Sequence, residues 1–293
     1  MGVSTAAINA AISSRYTLVD RWTLSYMLIA SFALFWHFSA LPLYLQVLLP
    51  VAHALIFWLI YSLPQIRRRG GVGEFLGDWY PLMLILGFYS EVGEINRAVG
   101  IHHDEPLQQM EAMIFGSQVA MEWIRAWPNP VFSWFVHLGY ALYYFVVVGT
   151  PLVISRLVGR AEGQRLLLLA LITFYTCYTI FLIMPTAGPL YAFPPADNEA
   201  TRTGTAVIVA WLLKTGDAWG SAFPSAHVAV TAVLTIGAFL VHRAVGLFLF
   251  PIMVLLSIAT VYGQIHYAVD ALGGLILAGL VLLFRKQLCN GIA

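Results

Sequence analysis

Two stretches decide the fold: "GSAFPSAHVAVTAV" (220–233) and "VYGQIHYAVDALGG" (261–274). Each sets a histidine inside a long apolar run, where a polar side chain is costly and marks function by default. His266 and Asp270 are four apart at the mouth of an expected helix, which stacks them on one face. A carboxylate on one imidazole nitrogen fixes the tautomer and leaves the other nitrogen basic, a competent nucleophile toward phosphorus. Pro224 suits the first turn of a helix, with Ser225 and His227 in that turn. Free backbone N–H groups and the positive dipole end favour a phosphate there, and His227 is placed to protonate a departing oxygen. A lone buried histidine is more often structural. Two converging with Ser225 and Asp270 read as a site.

Working outward, the 293 residues are 60% hydrophobic and 10% charged, with mean hydropathy +0.81. A soluble domain carries about a quarter of its residues charged. The expected class is therefore all-α, a polytopic transmembrane helix bundle of about eight spans. The apolar segments are 22–41, 43–63, 80–98, 131–154, 165–184, 225–241, 245–264 and 267–284, the third and seventh being the weakest. Residues 104–130 repeat apolar positions at helical spacing among acids and amides, which predicts an interfacial amphipathic helix. The long connection from Pro185 reads as a loop, with a short helix near 206–214. Residues 1–100 are expected to form N-terminal transmembrane helices and 101–293 a catalytic bundle, within one integral membrane unit.

Loop charge predicts orientation. Of the 15 basic residues, 11 fall on one side of an eight-span layout, from Arg15 to Lys286, and 4 on the other: Arg97, Arg125, Arg202 and Lys214. The richer side should be cytoplasmic, with both termini, and the two histidine motifs should meet at the opposite, extracytoplasmic face. The first twenty residues lack a signal peptide's pattern, and Ala6 breaks a myristoylation signal. Cys177 and Cys289 lie at depths too different for a bridge. A net charge of +1 with no basic stripe excludes nucleic acid as a partner.

"PSAH" (224–227) followed by "HYAVD" (266–270) resembles the type-2 phosphatidic acid phosphatase superfamily, whose second and third motifs run P-S-G-H and S-R-x5-H-x3-D. "MPTAGPLYAFP" (184–194) and "DEPLQQMEAMIFG" (104–116) are similar to segments of its inositol-phosphorylceramide and sphingomyelin synthase branch. The resemblance covers roughly residues 100–285. It implies that His266 attacks phosphorus to form a phosphohistidine, that Asp270 orients it, that His227 is the general acid, and that Ser225 helps bind phosphoryl oxygens. It implies no cofactor and no metal, and no residues here have metal-ligand spacing. Ala259-Thr260 stands where the phosphatase pattern has Ser-Arg, and the family's first motif is absent. The missing arginine fits the synthase branch. Cationic substitutes would be Arg202, Lys214, Arg97 or Arg125; Arg202 and Lys214 are favoured because their loop leads into "FPSAH".

Glu91 and Glu94 share a helix face, either contacting a substrate headgroup or partnering Arg97. "IHHDE" (101–105) reads as a polar interfacial cap. His37, His53, His137 and His242 lack an acid at helical spacing and read as packing or interface residues. The expected partners are a membrane lipid bearing phosphate and an alcohol or polyol acceptor; oligomeric state is not legible. The leading expectation is an inositol-phosphorylceramide synthase-like phosphotransferase. The first rival is a phosphatase using water on a phosphatidate, a sphingoid phosphate or a polyprenyl diphosphate. The second is a catalytically inactive lipid transporter or scramblase.

Overall fold

Residues 16–292 are described by a computed structural model, and among them regular structure is helical apart from one isolated parallel bridge, Thr186 to Ser221. The expectations about Ala6, Arg15 and a leader fall on residues outside those described. In chain order the principal helices are α1 (Leu18–Trp36), α2 (Leu43–Arg68), α3 (Gly71–Trp79), α4 (Pro81–Val99), α5 (Asp104–Phe115) and α6 (Val119–Ala126). They continue with α7 (Pro130–Ala141), α8 (Tyr143–Leu157), α9 (Arg160–Ile183), α10 (Gly204–Gly216), α11 (Ala226–Val241), α12 (Arg243–Tyr262) and α13 (Ala268–Leu283). Every expected apolar segment is helical, and α10 matches the short helix foreseen in the long loop.

Among the described residues, the eight apolar segments do not all form helices long enough to cross a membrane. Four helices, α1, α2, α9 and α12, are long and apolar enough to cross a membrane, and the α7–α8 pair, bent by 46°, makes a fifth if it is one span. Of the two segments expected to be weakest, the seventh, α12, has the highest mean hydropathy of the four, 2.5. The third, α4, is weak as expected and is not among the four; it carries Glu91, Glu94 and Arg97 in its last turns. At 16 residues each, α11 and α13 extend about 24 Å, short of the roughly 30 Å of a hydrocarbon core. Their leading segments are non-helical because they build the site.

Apolar patterning places α9 at the centre: 72% of its apolar window is buried, against 22% for α2. It packs on α8, α11, α1 and α4, and one hydrophobic core runs from Val19 and Met27 of α1 through α9 to Ala278 and Val281 of α13. Charges stitch one end of the bundle. The buried Asp20 accepts from both terminal nitrogens of Arg67, at 2.6 and 2.8 Å, and Arg160 Nε donates to Asp78 at 2.7 Å while its other arm pairs with Glu74. Within the bundle, Ser31 Oγ lies 2.8 Å from His53 Nδ1, and His53 Nε2 lies 2.8 Å from Glu91 Oε1. This polar chain joins α1, α2 and α4. His53, without an acid at helical spacing on its own helix, finds one on another, and that pairing occupies Glu91, which was expected at a substrate headgroup or beside Arg97.

Candidate active site

At the end of the bundle where α4, α9 and α12 finish, three backbone segments converge. The stretch after α9 pairs with the stretch before α11: Thr186 N donates to Gly220 O (3.2 Å) and Ala222 N to Thr186 O (3.0 Å). Asn96, near the end of α4, donates to Phe181 O and Gly220 O. Gly220 has φ +84°, and a Cβ there would stand 2.8 Å from the Asn96 amide, so position and conformation both call for glycine. Pro224, joined to Phe223 by a cis peptide, lies ahead of the helix and does not begin it, since α11 starts at Ala226. Ser225 is the N-cap of α11, its Oγ accepting from Val228 N (3.4 Å). Its own N–H donates to Asp270 O (3.0 Å), which ties α11 to α13. Gly274 permits that approach: a Cβ would sit 2.6 Å from Ser225 O.

A neighbouring carboxylate fixes the α13 start. The fully buried Glu111 of α5 accepts from Ala268 N (2.6 Å) and Val269 N (3.4 Å) with one oxygen and from Ala120 N (3.1 Å) with the other. It satisfies free N–H groups at the starts of both α13 and α6. Burial pushes its pKa up, and these backbone bonds act against that rise. Asp104, also on α5, accepts from Gly188 N (2.7 Å), Ala187 N (2.8 Å) and Tyr267 Oη (2.9 Å). The amphipathic segment is thus two helices broken at Gly116, and its acids grip the site's backbone.

The two expected histidines meet here. The rings of His227 and His266 lie 5.8 Å apart, centroid to centroid, tilted by 60°. His266 Nδ1 stands 3.4 Å from Asp270 Oδ2, an ion-pair distance with a geometry too oblique for a hydrogen bond. Asp270 Oδ2 accepts from Tyr267 N at 2.8 Å, whereas Oδ1 has no partner. Two tyrosines hold His227: Tyr140 Oη is 3.2 Å from Nε2, and the Tyr143 ring lies 4.4 Å away.

A cavity of about 710 Å³ opens at this end of the bundle, lined among others by Arg97, Lys214, Asp217 and Gln264 and by neither His227 nor His266. Asp217 accepts from Tyr191 Oη (2.8 Å) and Tyr89 Oη (3.1 Å), and burial raises its pKa. Among the four candidate cations, Arg97 and Lys214 line the cavity. Arg202 does not: it is exposed and paired with Asp197 at 2.8 Å. Arg125 donates to Gln264 Oε1 (2.8 Å) and to Pro194 O, so it braces the loop. Arg202, favoured because its loop leads into "FPSAH", is instead held by an acid five residues before it in the same loop. Neither Glu91, buried against His53, nor the half-buried Glu94 lines this cavity.

Sequence reasoning missed Tyr140, Tyr143, Asp217 and the gripping role of Asp104 and Glu111. One signal was present. Asp104, Leu107 and Glu111 recur at i, i+3 and i+7, so the acids share a stripe with a residue that must be buried. No spacing rule reaches Tyr140, 87 residues before His227.

A family model described as the PAP2 superfamily matches residues 94–284, more than half of the chain. No curated protein and no solved structure shows a significant match.

Proposed function

The chain belongs to the PAP2 superfamily, whose members act on phosphorylated lipids as phosphatases or phosphotransferases, and we propose that it moves phosphate from a membrane lipid to an alcohol acceptor through a phosphohistidine. One observation carries this reading: two imidazoles 5.8 Å apart, one of them with a carboxylate at Nδ1. In the first step His266 Nε2 bonds to phosphorus as the bond from phosphorus to the lipid oxygen breaks. His227 gives that oxygen its proton. In the second step an acceptor hydroxyl attacks, its proton passes to His227, and the N–P bond opens. Asp270, 3.4 Å from His266 Nδ1, stabilises the positive charge that the imidazole gains on attack, and Ser225 with the N-terminal turn of α11 faces the phosphoryl oxygens. With the charge-stitched, arginine-rich end cytoplasmic, the histidines lie at the extracytoplasmic face.

Arg97 and Lys214 supply the positive charge that phosphate needs, in place of the family arginines this sequence lacks. Replacing both by alanine should raise KM for a lipid phosphate about tenfold, by loss of roughly 1.4 kcal/mol of charge attraction. Arg202→Ala, already bound to Asp197, should leave KM within about twofold. Steady-state kinetics in mixed micelles checks both.

Transfer is favoured over hydrolysis because the cavity wall offers the Asp217 carboxylate, which can accept from an acceptor hydroxyl beside its two tyrosine bonds. Hydrolysis is the second reading, favoured by the exposure of Arg97 and Lys214, which lets water reach the same wall. Purified protein with a labelled lipid phosphate, with and without inositol or glycerol, separates them. A phosphorylated alcohol at the expense of free phosphate is the expected result. Phosphate release indifferent to every alcohol would sink the transferase reading, and no turnover at all would sink both.

A further inference from the structure

The opposite end of the bundle holds another cavity, of about 380 Å³, where α9 begins and α11 and α13 finish. Arg165 on its wall is about 27 Å along the helix axis from Ile183, where α9 ends at the candidate active site. Three cations line the cavity, Arg165 of α9 with Arg285 and Lys286 just after α13, against a single carboxylate, Glu162. Glu162 is paired with Arg165, whose other terminal nitrogen donates to Ile292 O at 2.8 Å. Arg285 donates to Leu282 O at 2.9 Å, and among the described residues neither it nor Lys286 is paired with an acid. Much of the remaining wall is apolar. Leu166 is buried, whereas Leu240, in the last turn of α11, is 53% exposed on the flank of the bundle.

We propose that this cavity binds the phosphate group of an acidic phospholipid from the leaflet opposite the histidines, with an acyl chain of that lipid lying against Leu166 and Leu240. The site is separate from the catalytic one and does not depend on which reaction occurs there. Topology alone accounts for positive charge at this end. It does not account for cations gathered around a hollow within the roughly 300–1,000 Å³ range of small-molecule sites. With Glu162 matched to Arg165, the charges of Arg285 and Lys286 stand over, so the hollow attracts a ligand of net negative charge. A zwitterionic headgroup brings its own ammonium towards the same cations and gains less. The apolar flank decides between a lipid and a free anion: a soluble phosphate makes no use of Leu240, whereas an acyl chain covers it. Bound there, the phosphate joins the end of α13 to the start of α9, adding to the one bond that Arg165 makes with the Ile292 carbonyl.

The test measures binding of phosphatidylglycerol with a fluorescent tail to the full chain in neutral detergent. Affinity should fall about tenfold or more in Arg285→Gln/Lys286→Gln, because each basic group near a lipid phosphate contributes severalfold. Arg68→Gln/Arg69→Gln removes two cations at the same end of the bundle but outside the cavity, and should stay within about twofold of wild type. Unlabelled phosphatidylglycerol should displace the probe, whereas phosphatidylcholine and inorganic phosphate should not. Because removing charge can disturb insertion, a second measurement uses wild type alone. Cys289 lines the cavity and Cys177 is fully buried, so alkylation by a maleimide reports on the site. Saturating phosphatidylglycerol should slow that alkylation about fivefold or more relative to phosphatidylcholine. Equal affinities of wild type and Arg285→Gln/Lys286→Gln overturn the site, as do equal losses in the two double variants or equal protection by the two lipids. Displacement of the probe by inorganic phosphate overturns the lipid assignment in favour of a soluble anion.

Discussion

His266→Ala should lower lipid phosphate turnover by at least about 1000-fold and abolish the labelled phosphoenzyme, because no other side chain can take its place at phosphorus. The leaving group separates this variant from loss of the general acid. A nitrophenolate departs without a proton, so His227→Ala should keep substantial activity on nitrophenyl phosphate while losing about 100-fold or more on an alkyl phosphate. His266→Ala should be inactive on both. Quenched-flow trapping of an acid-labile, base-stable phosphoprotein gives the direct measure. Equal losses for both variants on both substrates would mean that the two imidazoles do not divide the work as proposed. A labelled phosphoprotein in His266→Ala would place the nucleophile elsewhere.

The largest effect on stability should come from Glu111→Ala. That carboxylate is fully buried and accepts from three backbone N–H groups, those of Ala120, Ala268 and Val269. Alanine strands all three, and a buried donor left unpaired costs about 1–3 kcal/mol. Partial relaxation brings the expected loss to about 3–5 kcal/mol, seen as a lower unfolding temperature in detergent, with Met110→Ala on the exposed side of the same helix as the control. Because Ala268 opens the helix that carries Asp270, activity should fall with stability. A variant as stable as wild type would show that the start of α13 finds other partners.

Much of the architecture was legible because helical periodicity survives tertiary packing. All eight apolar runs became helices, the short helix at 206–214 appeared inside α10, and the His266–Asp270 spacing brought its pair to 3.4 Å. Helix length was less legible. Hydropathy reports apolar length, and α11 and α13 are shortened by the non-helical turns that present His227 and His266. Contacts between distant residues were equally hidden. His53 lacked an acid on its own helix, but Glu91 lies 38 residues away on another. Arg202 and Lys214 looked equivalent in one loop until Asp197 claimed the first.

The Ser31–His53–Glu91 chain bears on how small a working fragment of this protein can be. Similarity to known relatives starts at residue 94, which invites trimming everything before it. A cut just ahead of α4 would delete His53 and leave the Glu91 carboxyl, now 5% exposed, turned toward hydrocarbon without a companion. Such a group costs about 3 kcal/mol. The leading helices are thus a condition for the rest of the chain to stand in a bilayer, and a dissected enzyme would need Glu91 replaced by an apolar residue before it could be made.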